Sequence, residues 1–172
     1  MKRLAYLVVL FCLMASVSYA QGVKIAVIDM QRALNESKEG TEAKKEIAKK
    51  AEQLKTDLQA LQQELDKMRS ELDKQSTFLS EEAKQEKEKL FQKKVKEFQN
   101  TYKEAQEELQ QKDSEYTKKI VQKLEKIIKA IGEEAKYTVI LEKNASGIFY
   151  FDKDVDITDL VIKRANEEQQ KK

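Results

Sequence analysis

The chain contains no histidine, no proline and no tryptophan in 172 residues, only four glycines, and one cysteine, Cys12. Without histidine there is no side chain that titrates near neutrality and no imidazole to hold a metal. With a single thiol, a structural or catalytic zinc site cannot be assembled either. Gly22, Gly40, Gly132 and Gly147 stand far apart, so neither a phosphate-cradling loop nor a dinucleotide fingerprint can be drawn. Carboxylates are abundant, but acid–base catalysis needs one with a perturbed pKa, which an exposed helix face does not supply. No catalytic, cofactor or metal site is therefore expected. With no proline, the chain lacks the strongest breaker of a long helix.

What is present begins with an address. Lys2 and Arg3 precede the apolar run Leu4 to Met14, and Ser18-Tyr19-Ala20 offers small residues where a signal peptidase reads. Residues 1–20 read as a cleavable export signal. The run is shorter than the roughly 20 apolar residues that an uncleaved spanning anchor needs. Bulky Phe11 before Cys12 argues against a lipoprotein site. The chain has 33 Lys+Arg and 31 Asp+Glu, so loss of Lys2 and Arg3 leaves 31 against 31. A neutral mature chain is no polycation, and no nucleic-acid partner is expected. A mature chain without cysteine suits an oxidising compartment and has no disulfide.

Charged residues make up 37% of the sequence and aromatics 7%, a composition of long helix or coiled coil. Periodicity supports helix over disorder. Ile47, Ala51, Leu54, Leu58, Leu61, Leu65, Met68 and Leu72 follow at steps of four and three, one seam of a supercoiling helix. The seam lapses from Asp73 to Lys89. Ser80, followed by Glu81 and Glu82, has the chemistry of a helix start, which puts a chain reversal near Gln75 to Leu79. The seam resumes at Phe91, Val95, Phe98, Tyr102, Ala105 and Leu109. Lys112 interrupts it, and Tyr116, Ile120, Leu124, Ile127 and Ile131 continue it, with a stutter at Tyr116. Pairs such as Glu46–Lys50, Glu108–Lys112, Glu115–Lys119 and Glu125–Lys129 would add about 0.2–0.5 kcal/mol each. The second helix is expected from about Glu81 to Lys136, on the order of 80 Å long at 1.5 Å per residue. The seam is taken to be consumed in joining the two helices.

Short apolar runs flank the hairpin. Val23 to Ile28 reads as a buried strand, Tyr137 to Leu141 as a second and Ile148 to Phe151 as a third. Asn144-Ala145-Ser146-Gly147 would turn the last two into a hairpin. Met30 to Glu36 reads as a helical turn before a break at Gly40, and Asp156 or Thr158 as the cap of a last helix carrying Ile157, Leu160 and Val161. So small a sheet cannot bury itself, and its free edges invite another copy. Val23, Ile25, Val27, Tyr137, Val139, Leu141, Phe149 and Phe151 are the candidate oligomer core. The expected fold is mainly α, a long antiparallel coiled-coil hairpin projecting from a small strand-built oligomerisation body. The body takes residues 21–40 and 115–172, and the arm takes 41–114 with its tip near 74–80.

Two features near the tip have open readings. Lys84, Lys87, Lys89, Lys93, Lys94 and Lys96 face only Glu86 and Glu88 in their own stretch. They form either a solvated face or a contact for acidic clients, anionic lipid or lipopolysaccharide. Phe78 and Leu79 either close the hairpin, the favoured reading, or touch a client.

In order, the chain runs from a signal-like leader to a strand ending Val27-Ile28-Asp29, followed by Arg32-Ala33-Leu34-Asn35-Glu36-Ser37. A long Lys/Glu/Gln/Leu hairpin comes next, then Tyr137-Thr138-Val139-Ile140-Leu141-Glu142 and Asp156-Ile157-Thr158. This order resembles the Skp/OmpH family of periplasmic chaperones over essentially the whole mature chain. Gly132, inside the second helix, departs from that pattern and is expected to be a local soft point, since a helical glycine costs about 1 kcal/mol against alanine. The resemblance implies a jellyfish-shaped homotrimer with three helical tentacles around a cavity. It also implies an ATP-independent holdase that keeps unfolded outer-membrane β-barrel proteins soluble in the periplasm. The competing class is a structural coiled-coil adaptor or spacer that binds one folded envelope partner.

Overall fold

The computed structural model describes residues 22–75 and 77–170. The export-signal reading of residues 1–20 lies outside them. The order is β1 (Ile25–Ile28), α1 (Met30–Glu36), α2 (Lys38–Gln75), α3 (Glu81–Ala135), β2 (Val139–Glu142), a short 3-10 turn (Lys153–Val155) and α4 (Thr158–Gln170).

Helices α2 and α3 form the hairpin that the seam predicts. From Ile47 to Leu72 every seam residue of α2 is half-buried or buried, and the positions between them, Lys50 apart, are exposed. The reversal falls where the seam lapses. The backbone N–H groups of Phe78 and Leu79 both donate to the Gln75 carbonyl, and Ser80 Oγ caps α3 by accepting from Ala83 N–H at 3.3 Å. At 55 residues, α3 is about 80 Å long and outlasts the 38 residues of α2.

The overhang of α3 builds the core. Ile120, Leu124, Ile127 and Ile131 are buried with Ala26 and Ile28 of β1, Ala33 of α1, Ala43 of α2, and Ile157, Val161 and Ala165 at and beyond the start of α4. Leu124 and Val161 are completely inaccessible. Polar links tie the same elements. Thr158, fully buried, accepts from Asp29 N–H at 3.0 Å, while the Ile157 N–H donates to the Val27 carbonyl at 2.9 Å.

The break after α1 lies at Ser37, earlier than expected. Ser37 Oγ accepts from Gly40 N–H at 3.1 Å, so Ser37 caps α2. Gly40 sits in the first turn of α2 because a Cβ there would stand 1.8 Å from the Leu34 carbonyl oxygen. Gly132 is likewise a packing position and interrupts nothing: α3 runs through it, and its missing side chain lets Ile140 approach. At the end of α3, Lys136 takes the left-handed conformation, φ 55°, a position usually given to glycine.

The sheet differs from the expectation. β1 and β2 pair in parallel, Ile25 opposite Val139 through Ile28 opposite Glu142, joined by the whole helical hairpin as one long crossover. Ile148 to Phe151 forms no strand among the described residues, and the expected hairpin with β2 is absent. Instead the chain leaves β2 through a turn at 143–147 and reaches the opposite edge of β1, where Asp156 bridges Val27. The Ile157 and Thr158 bonds fix that crossing, and it carries residues 148–151 away from a ladder with β2. Phe149 and Tyr150 are consequently left uncovered by the described residues.

Candidate functional site

Three surfaces are candidates: the arm near its tip, the mid-arm seam, and the outer face of the sheet. The six lysines at the tip differ in exposure. Lys84, Lys87 and Lys94 lie half-buried beside the seam, and Lys89, Lys93 and Lys96 are exposed. Lys87 Nζ donates to Gln75 Oε1. Lys94 reaches across to Glu64 of α2 at 3.3 Å and along its own helix to Glu97 at 3.7 Å. The hydrogen bond to Glu64 is the main reason the Lys94 ammonium is held above its ordinary pKa, with the charges of Glu64 and Glu97 adding to it. Lys93 stands 3.9 Å from Glu97. Counted on both helices from residue 64 to 97, nine Lys and Arg meet nine Asp and Glu. Of the excess of four between Lys84 and Lys96, Glu81, Glu82 and Glu97 of the same helix offset three, and the facing stretch of α2, with four acids against three bases from residue 64 to 75, offsets the fourth.

Phe78 does not close the hairpin. It is 89% exposed, while Leu79 is half-buried and does the closing. The expected ladder pairing also shifts: Lys50 and Glu108, each assigned a partner in its own helix, meet one another across the seam at 3.0 Å. Lys123 does the same with Glu39 at 2.7 Å. Such cross-helix pairs fix register more than they add stability, since exposed pairs are worth about 0–1 kcal/mol.

The seam is not fully consumed. Midway along the arm a groove of about 390 Å³ opens between α2 and α3, floored by Ala51, Leu54, Leu58, Phe98, Ala105 and Leu109. Tyr102 stands in it, 48% exposed, with its hydroxyl accepting from Gln106 Nε2 at 3.0 Å. The rim carries Gln59, Gln62 and Gln106, with Lys55 as its one charged residue. Two of the floor residues are alanines, and the space they leave is what a leucine would fill. A strict three–four spacing signals that a seam exists. It does not report whether the side chains on it are large enough to fill it, and the two alanines were the available clue.

The third surface is the sheet. Alternation places Ala26, Ile28 and Ile140 against the helices and Ile25, Val27, Val139 and Leu141 on the far side. There Ile25 and Val139 are 44% and 38% exposed and Leu141 is half-buried; outside the strands, Val23 is exposed and Phe151 half-buried. Of the remaining candidate oligomer-core residues, Val27 is already buried within its own chain and Tyr137 packs against the core under the Lys24 ammonium, 4.4 Å from its ring. Phe149 is fully exposed. Beside the sheet, Asp29 caps α1 and pairs with Lys143 at 3.2 Å. Its carboxyl is held below the usual value, first by the Arg32 N–H and then, against the opposing effect of burial, by Lys143. Among the described residues, no group of His, Cys, Asp and Glu could hold a metal ion, and no helix is long and apolar enough to cross a membrane.

A helical hairpin carried on a parallel strand pair with an uncovered apolar face defines the class: an arm on a body. The OmpH-like outer membrane protein family model matches residues 24–164, and the chain belongs to that family. A solved structure from Caulobacter crescentus CB15, described as an OmpH-like outer membrane chaperone, superposes with a TM-score of 0.78. It covers 87% of this chain and 91% of its own, at 20% identity. That likeness shows the fold. No curated protein sequence matches the chain.

Proposed function

We propose that the protein is an ATP-independent holdase of the periplasm, acting as a homotrimer on unfolded outer-membrane β-barrel proteins. Family membership and the outer membrane chaperone named in the structural comparison support the chaperone reading. The uncovered sheet carries the oligomer. Parallel strands occur almost only with both faces covered, yet Ile25, Val139 and Phe149 are open to solvent. Copies of the chain meeting on Val23, Ile25, Val139, Leu141, Phe149 and Phe151 would bury this face and gather the arms around one space. Residues 21–40 and 115–172 then form the body and 41–114 the arm. No reacting group is invoked: clients are retained by many weak contacts whose sum, at high effective concentration, supplies affinity. Contact with anionic lipid or lipopolysaccharide would fall to Lys89, Lys93 and Lys96, which are exposed, whereas Lys84, Lys87 and Lys94 are half-buried.

The test is dilution of a urea-unfolded outer-membrane barrel protein into buffer with the purified mature chain. Suppressed light scattering without nucleotide is expected. Undiminished scattering at equimolar trimer refutes the holdase. Recovery of one stoichiometric folded protein from a periplasmic extract would instead identify a structural adaptor.

A further inference from the structure

The mid-arm groove differs in chemistry from the rest of the arm. Residues 51–63 and 98–111 contain nine Gln and Asn, whereas the 34 residues from 64 to 97 contain three. The amide belt coincides with the apolar groove, whose rim is Gln59, Gln62 and Gln106. Beyond the belt the arm is coated with opposed charges; within it, Lys55 is the one charged residue lining the groove, and Glu52 stands 3.5 Å from its ammonium.

We infer that this groove seats an extended, uncharged segment of a non-native polypeptide, with apolar side chains on the floor and its backbone against the glutamine rim. The assignment rests on the holdase reading and names where on each arm a client is gripped. Three properties select that occupant. An amide side chain both donates and accepts. Gln62 Nε2 donates one hydrogen to Asp66 and Gln106 Nε2 one to Tyr102, which leaves each a second N–H and its carbonyl oxygen, with all of Gln59, for the N–H and C=O groups of an unpaired backbone in either direction. A rim whose one charge, Lys55, is paired with Glu52 places little penalty on an uncharged chain, while a charged segment would be desolvated without a free partner. The stretch from Ala51 to Gln62 is about 17 Å of helix, which spans about five extended residues. Two or three alternate side chains then face the floor, where Tyr102 offers a ring with its hydroxyl already tied to Gln106. An acyl chain would use the floor and leave the amide rim without a role.

The experiment measures fluorescence anisotropy of a labelled eight-residue peptide, alternating Tyr or Val with Gln or Thr, added to the full mature chain. A second peptide carries Lys and Glu at the Gln and Thr positions. The uncharged peptide is expected to bind, with little dependence on salt, and the charged one to bind about tenfold more weakly. Ala51→Leu, which fills the floor while adding apolar surface, and the pair Gln59→Glu with Gln106→Glu should each weaken binding about tenfold. Gln85→Glu, outside the belt, should change nothing, and thermal melting establishes that each variant is folded. Equal binding by all variants overturns the inference. So does a change of oligomeric state in Ala51→Leu, which would make a second copy the occupant. If the peptide does not bind but the wild-type chain still suppresses aggregation of an unfolded barrel protein, the groove fails and the holdase stands. If aggregation is not suppressed either, both fail.

Discussion

Gly40 carries more of the architecture than its size suggests, because α1 and α2 meet at an angle that only a bare Cα permits. A methyl group there would lie 1.8 Å from the Leu34 carbonyl oxygen, so Gly40→Ala should cost about 1–3 kcal/mol, read from urea unfolding. Lys136 presents the opposite case. It occupies the left-handed cap of α3 at φ 55°, a conformation that strains a side chain and suits glycine. Lys136→Gly should raise stability by about 0.5–1 kcal/mol, glycine's extra freedom in the unfolded chain taking back part of the gain. Asp29 supplies a pH dependence. Its carboxyl titrates lower in the folded chain than in the unfolded one, chiefly through the Arg32 N–H. Its contribution is therefore fully present above the ordinary carboxylate pKa and is lost as pH falls through the lower folded-state value. Asp29→Ala should cost about 1 kcal/mol at neutral pH, and the gap should narrow only below about pH 4, as denaturation midpoints across that range will show.

At the scale of elements, the two ends of α3 do different work. Near the body its apolar face is enclosed by β1, α1 and α4, and Leu124 is fully buried. Along the arm only α2 faces it, and its seam residues there are mostly half-buried. Leu124→Ala should cost about 2–5 kcal/mol, whereas Leu58→Ala, whose side chain borders the open groove, should cost about 1 kcal/mol or less. Chemical denaturation distinguishes the two. This contrast also explains what could be read in advance. The arm follows from local periodicity, so both helices, the reversal after Gln75 and the Ser80 cap were legible in the chain. The body depends on partners more than 100 residues away, such as Ile25 with Val139 and Asp29 with Thr158. An apolar run such as Ile148 to Phe151 has strand composition, but composition does not say which edge the following residues are tied to. The anchoring of Ile157 on Val27 decided that and cost the expected third strand. The lysine run shows a related limit, since the chain order alone does not tell that Lys94 meets Glu64 of the other helix.

For the whole molecule, an arm with 16 Lys and Arg against 17 Asp and Glu over residues 41–114 stands on a sheet that leaves Ile25 and Val139 open to solvent. The arm offers an amide-rimmed groove and little else that is apolar beyond Phe78 at the tip and Leu90. On the proposed holdase reading, one groove seating about five extended residues is too short for an entire unfolded barrel, and retention would come from several arms acting together. The bare sheet is what would bring them together. The most direct measurement replaces Val139 and Phe149 by glutamate, which charges that face while leaving the enclosed core untouched. Sedimentation and aggregation suppression are then compared with wild type at equal chain concentration. The account predicts a folded monomer that no longer keeps a urea-diluted barrel protein in solution. A folded monomer that suppresses aggregation as well as the wild-type chain, or a wild-type chain that already sediments as a monomer at micromolar concentration, would contradict it.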